Sequence, residues 1–286
     1  MHPAPSVLVF TVFSGFGFGL LAFLGIGWPA PAGWVAFWWW GLGYACAVGG
    51  LVASTLHLGN PQRALRAFGQ WRSSWLSREA WASVLALGLL APVALSDWLG
   101  LGWSRIPGRM GAICAVATVG ATAMIYTQLR SVPRWNHWMT PMLFGGFALT
   151  GGAMAAGHAN LAAGFGLVLA AGLVLAFRLG DGQFARAGQT IGTATGLDRV
   201  GEAAVFELPH TGGNYLLREM IFVVGRRHAV KLRLIAVAAV AAAAGLVLVP
   251  GALPLACTLH LGGALVARWL FFAEAEHVVG LYYGKR

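Results

Sequence analysis

Apolar residues run along this chain in blocks of about 20, the length a helix needs at roughly 1.5 Å per residue to cross about 30 Å of hydrocarbon. Eight blocks qualify: Val7–Gly27, Trp34–Leu56, Trp81–Leu99, Gly111–Leu129, Pro141–Gly157, Leu161–Phe177, Leu232–Val249 and Pro254–Ala273. The pattern predicts an all-α integral membrane protein, a bundle of eight transmembrane helices forming one body over residues 1–286. Tryptophans crowd the block ends, at Trp38-Trp39-Trp40, Trp98, Trp103, Trp135 and Trp138, as headgroup anchors do. Met1-His-Pro-Ala-Pro-Ser has no positive n-region, so the first block reads as a retained span and not a cleaved signal peptide.

Eight crossings put both termini at one end of the bundle, here end A, and the opposite loops at end B. Of the 19 lysines and arginines, 16 fall in end A loops, Arg105 and Arg109 lie at end B, and Arg268 lies inside the last block. Positive residues in short loops stay inside the cell, so end A is expected to face the cytoplasm of a bacterial inner membrane.

Composition agrees: 58% of residues are hydrophobic, 10% are charged and mean hydropathy is +0.71, whereas a soluble domain carries about 25% charge. The net charge of +10 comes from 17 arginines and two lysines. Arginine suits docking a protein partner or lipid phosphate. Nucleic acid is excluded as a partner, because no soluble basic domain exists to hold it.

The longest loop, residues 178–230, opens rich in Gly, Thr and Ala and then becomes amphipathic. Asn214 reads as the N-cap of an interfacial helix with Leu216, Met220 and Val223 on one face and Arg218 and Glu219 off it. That loop is expected to lie on the cytoplasmic membrane surface. Thr55-Leu-His57-Leu-Gly59 recurs as Thr258-Leu-His260-Leu-Gly262, but at opposite ends and without wider similarity, so the match reads as chance.

The chemistry-bearing residues gather at end A. His57 closes the second block, Glu79 opens the third, His137 and Thr140 precede the fifth, and Glu274, Glu276 and His277 close the last. Arg268 lies about two turns deeper, with Glu276 eight residues on and on roughly the same helix face. A quinone accounts for such a cluster: its isoprenoid tail stays in lipid while its two carbonyls need hydrogen-bond donors and exchange protons. Histidine can donate and then shuttle a proton, and a carboxylate can relay it to water. The bland alternative makes His57 a helix-end residue and Glu79 a surface partner of Arg78 or Arg63.

Haem b is a rival. It needs paired histidines at one depth, usually well inside the bilayer, yet His57, His137 and His277 lie at end A, His158 and His260 at end B, and none reads as mid-span; a pair such as His57 and His277 is what could still bind one haem. Cys46, Cys114 and Cys257 form no CxxC or CxxCH, so neither an iron–sulfur cluster nor covalently attached haem is expected in this chain. Transport is the alternative from another class, but neither a polar midplane nor related halves stand out.

The segment Leu-His57-Leu-Gly59-x-Pro61-x-Arg63-Ala, followed by Glu79 in Trp75-Leu-Ser-Arg78-Glu79, resembles the membrane anchor subunit of the dimethyl sulfoxide reductase family. Val9-Phe-Thr-Val-Phe13, Val132-Pro-x-Trp135, Trp138-x-Thr140-Pro-Met142 and Ala267-Arg268-x-x-Phe-Phe272 extend the likeness along the chain. The resemblance implies a haem-free anchor that holds an iron–sulfur subunit and a molybdopterin catalytic subunit on the lipid membrane. It implies electron exchange with ubiquinone or menaquinone, and it places the quinone-binding positions on His57, Gly59, Arg63, Glu79 and Thr140. Arg66, Arg78, His137, Arg268, Glu276 and His277 are candidates for the proton or quinone pocket around them. In the best-known reductases of this family the His-loop face looks out of the cell, whereas the arginine bias here turns it inward. A branch of cytoplasmic sulfite-oxidising molybdoenzymes has that arrangement, and Pro209–Tyr215 and Arg268–His277 look more like it. The expectation is therefore sulfite:quinone electron transfer, with quinol oxidation by a dimethyl sulfoxide reductase as the alternative.

Overall fold

The structure, a computed structural model, describes all residues other than 57–59, 211, 214, 215, 217–219, 221–227, 285 and 286, together with the side chain of Pro61. Its long helices are α1 (Pro5–Ile26), α2 (Gly33–Thr55), α3 (Trp75–Leu99), α4 (Ile106–Thr127), α5 (Met139–Ala155) and α6 (Ala159–Asp181). The short α7 (Gln183–Arg186) and α8 (Ile191–Thr195) follow, then α9 (Ala229–Leu246) and α10 (Leu253–Ala273). A 3-10 segment, Pro61–Phe68, leads into α3, and another, Val278–Tyr283, follows α10. The described residues contain no strand.

Seven of these helices are long and apolar enough to cross a membrane. The expected eighth block is α5, whose 17 residues span about 25 Å. It runs between the same two ends as its neighbours. Before its start, Trp135 Nε1 donates to Phe271 O at 2.8 Å, near the end of α10, and beyond its finish His158 Nε2 lies 2.8 Å from Trp28 O, past the end of α1.

α1 is the axis. Fourteen of its 22 residues are buried, and it packs against α2, α4, α5 and α10. A helix apolar all round belongs in an interior, and glycines let its neighbours approach closely. A Cβ on Gly19 would strike the Ala148 carbonyl of α5, and one on Gly152 of α5 would strike the Gly19 backbone. Gly25 and Gly108 meet in the same way between α1 and α4, where a Cβ on either would lie 2.6 or 2.5 Å from the other's carbonyl oxygen.

End B is closed by Asp97, which accepts from Trp40 Nε1 at 3.0 Å and from Arg105 Nη2 at 2.6 Å. Arg105 Nη1 also donates to Leu24 O at 3.2 Å, which ties the end of α1 into the same knot.

Two boundaries matter for the site. α3 begins at Trp75, six residues before the apolar block predicted, so Glu79 lies inside the helix and not at its mouth. α10 ends at Ala273, so Glu276 is not on a helical face with Arg268. The amphipathic helix expected from Asn214 falls largely outside the described residues. Gly152→Val is expected to prise α1 from α5, at a cost of about 3 kcal/mol or more. A fall in detergent melting temperature checks this, and Gly145→Ala, whose added Cβ meets open space, serves as the neutral control.

Candidate functional site

The turn between α4 and α5, the end of α6, the start of α9 and the residue after α10 converge at end A on a four-membered ionic network. Glu274 accepts from Arg134 Nη2 at 2.5 Å and from Arg233 Nε at 2.6 Å. Asp181 accepts from Arg233 Nη1 and Nη2 at 2.8 and 2.5 Å and from Arg134 Nη1 at 3.3 Å. The Glu274 side chain is 5% exposed and that of Asp181 52% exposed, so the inner carboxylate depends on its arginines far more than the outer one.

Beneath the network lies a recess of about 60 Å³, walled by Arg134, His137, Thr140, Arg268, Phe271 and Glu274. Thr140 is buried and its hydroxyl donates to Trp135 O at 2.8 Å. His137 Nδ1 accepts from the Met139 amide at 3.2 Å, and burial, helped by the Arg186 charge, holds its imidazole below the ordinary value. Met139 and Leu143 are shared with a second feature, an apolar groove of about 610 Å³ along α5 and α6. Gly145, Gly146 and Gly172 keep that groove open, and Trp138 and Met142 form an exposed rim.

Deeper in, Arg268 is 6% exposed, with its guanidinium carbon 3.5 Å from the centre of the Phe144 ring, a cation–π contact. Its Nε has no hydrogen-bond partner among the described residues. Glu79, 4% exposed, accepts a hydrogen bond from the Thr122 hydroxyl of α4. Tyr126, one turn on from Thr122, is within Coulombic range of both Arg268 and Glu79. A cavity of about 10 Å³ lies beside Arg268 and Thr122, walled also by Thr11, Ser14 and His260 among others. His260 is a mid-helix histidine, contrary to expectation: it lies two turns into α10, 2% exposed, with Nε2 at 3.1 Å from Phe147 O. A Cβ on Gly151 would approach its Nε2 to 2.8 Å, so that glycine makes room for the ring.

The structure thus gathers His137, Thr140 and Arg268 at one recess and places Glu79 apart from it, against Thr122 of α4. His57 and Gly59 lie outside the described residues. Arg63 and Arg66 are exposed on the 3-10 segment. Arg78 folds back on its own loop, donating to Trp71 O and Arg72 O at 3.1 and 2.7 Å and stacking over Trp75; it is not the surface partner of Glu79 that one expectation made it. Glu276 and His277 are half-buried beyond α10. His277 Nδ1 accepts from the Val279 amide at 3.0 Å, and burial, with the N-terminal ammonium, lowers its proton affinity. Sequence reading missed Thr122, Tyr126, Arg134, Asp181 and Arg233. Thr118, Thr122 and Tyr126 do recur at intervals of four in α4, a polar stripe that marks a buried face.

Comparison with known proteins gives two matches. The family described as DMSO reductase anchor subunit (DmsC) matches residues 1–169. A sulfite dehydrogenase subunit from Allochromatium vinosum is 31% identical over 336 aligned residues, covering 99% of each chain. No solved structure matches.

Glu274→Gln leaves two arginines sharing a weakened acceptor and is expected to cost about 3 kcal/mol, against less than about 1 kcal/mol for Asp181→Asn; thermal unfolding in detergent measures both. His137 and His277 bind protons less readily folded than unfolded, so the stability they contribute is present above about pH 6.5 and is lost as pH falls through their folded values. The fall in melting temperature from about pH 7.5 to 5.5 is expected to shrink in the His137→Gln/His277→Gln double variant.

Proposed function

Because this chain belongs to the DMSO reductase anchor subunit family and is a membrane anchor subunit of an oxidoreductase, we propose that it is also the quinone-reactive part of that enzyme. In this reading it passes electrons between an iron–sulfur subunit and the quinone pool. Electrons originate at a molybdopterin subunit that oxidises sulfite: sulfite and water give sulfate, two protons and two electrons, and quinone takes up two electrons and two protons to become quinol. End A faces the cytoplasm, as the 16 basic residues of its loops favour.

The observation that carries the reading is the polar recess at Thr140 opening beside a groove of about 610 Å³ on the lipid-facing side of α5 and α6. A quinone is a polar ring on an apolar tail. The groove has the size of an ordinary ligand site, and the recess supplies hydroxyl, imidazole and guanidinium groups at its end. His57 would hydrogen-bond a carbonyl, Glu79 would carry the proton, Arg63 would steady a reduced anion, and Gly59 would let backbone approach the ring. His57 and Gly59 enter this assignment on sequence alone.

The sulfite branch is favoured by the relative that spans both chains nearly end to end. The family's description favours the second reading, in which electrons run from quinol to a sulfoxide reductase.

His57→Ala and Glu79→Gln are each expected to lower quinone-coupled turnover of the assembled enzyme by about 100-fold or more, with dye-linked activity of the catalytic subunit retained. Normal quinone turnover in either variant would refute the assignment. Gly145→Phe, which fills the groove, is expected to raise KM for long-tailed quinones and leave short-tailed analogues unaffected.

A further inference from the structure

Glu79 cannot exchange a proton with water directly. It is 4% exposed, it projects from the second turn of α3 towards α4, and its hydrogen-bond donor is the Thr122 hydroxyl. Thr122 also walls the cavity of about 10 Å³, which has room for one water. Two other walls of that cavity, His260 and Arg268, are more than nine-tenths buried, and each has a nitrogen, Nδ1 and Nε respectively, without a partner among the described residues. Buried nitrogens of this kind are ordinarily satisfied by ordered water. Arg268 and Phe147 wall the larger recess too, so the two spaces lie on either side of these residues, and the recess reaches His137, Arg134 and Glu274 at end A.

We propose that Thr122 and the two cavities meeting at Arg268 form a water-filled route by which protons pass between end A and Glu79. The proposal rests on the quinone reading and supplies the path that reading requires. A threonine hydroxyl has one proton to give and two lone pairs to accept with. Thr122 can donate to Glu79 while accepting from the cavity water, and its alternative acceptor, Thr118 O at 3.0 Å, lets the hydroxyl turn between transfers. The titratable groups lining this path are His260 and Arg268 from α10, with Arg134, His137 and Glu274 at its end A mouth. The guanidinium is a fixed donor at the junction, where its unpartnered Nε can hold a water.

The protons balance. Each quinone reduced takes two electrons from the partner subunit and two protons in succession from the water beside Arg268, with Glu79 as the buried reservoir that this water exchanges with through Thr122. After each transfer Glu79 regains a proton through Thr122 from the cavity water, and that water regains one from end A. The only bonds made and broken along the route are O–H bonds.

The test uses the assembled enzyme in native membranes or mild detergent. Thr122→Val keeps the side-chain shape and removes the hydroxyl. It is expected to slow quinone-coupled turnover about tenfold or more and to enlarge the solvent deuterium isotope effect, while Thr122→Ser stays within about twofold of the native chain. Affinity for a quinone analogue and dye-linked activity should hold in both variants. An experimental density map should show water between Thr122, His260 and Arg268, and this outcome decides the matter should Thr122→Val fail to assemble. Native turnover with an unchanged isotope effect in Thr122→Val, or a dry cavity, would overturn the route. Were Glu79→Gln inactive and Thr122→Val fully active, the route alone would fail. Were the native enzyme to bind no quinone analogue, the quinone reading itself would fall.

Discussion

Lipid gives apolar helices no hydrophobic reason to leave it for one another, so this bundle depends on how closely the backbones of α1 and its neighbours approach. Gly19 against Ala148, Gly152 against Gly19, and Gly25 against Gly108 are contacts that no side chain fits between. They draw α5 and α4 onto α1. Thr11 and Ser14 of α1 thereby come to the same small cavity as Thr122 of α4 and His260 of α10. The polar interior follows from the close approach of apolar helices.

Charge within the bundle is handled in two ways. At end A, two arginines and two carboxylates satisfy one another, joining the α4–α5 turn to α6, α9 and the end of α10. Arg268, about 9 Å deeper along α10 than Glu274, has the faces of Phe144 and Phe271 beside it. A rigid network serves anchoring. Arg268, by contrast, keeps an incompletely satisfied nitrogen beside space for water, where hydrogen bonds can be remade.

Hydropathy alone located seven helices long and apolar enough to cross a membrane, because about 20 consecutive apolar residues have few other uses. It misplaced Glu79, because Trp75-Leu-Ser-Arg-Glu reads as polar loop yet is helical; the apolar block marks where a helix becomes hydrophobic, not where it starts. Arg268 stood out in the sequence as a charge within a span, but its surroundings did not. The partners Arg134, Asp181 and Arg233 come from segments far apart in the chain, and only tertiary packing brings them together. His260 was assigned to end B although the predicted block already began six residues before it, at Pro254, because the sequence gives depth only to within a turn or two.

At the far end of the loop over residues 178–230, His210 Nδ1 lies 2.8 Å from Tyr283 Oη, and Tyr282 Oη donates to Ala194 O at 3.0 Å. The segment after α10 is thus held between loop and bundle.

The brevity of α5 has a consequence for the membrane itself. Its roughly 25 Å fall short of a hydrocarbon layer of about 30 Å, and it borders the groove beside α6. A bilayer meeting a shortened face thins locally. A bilayer thinned beside Trp138 would bring the headgroup level closer to the mouth of the groove, so the length of one helix sets the depth at which lipid meets that face.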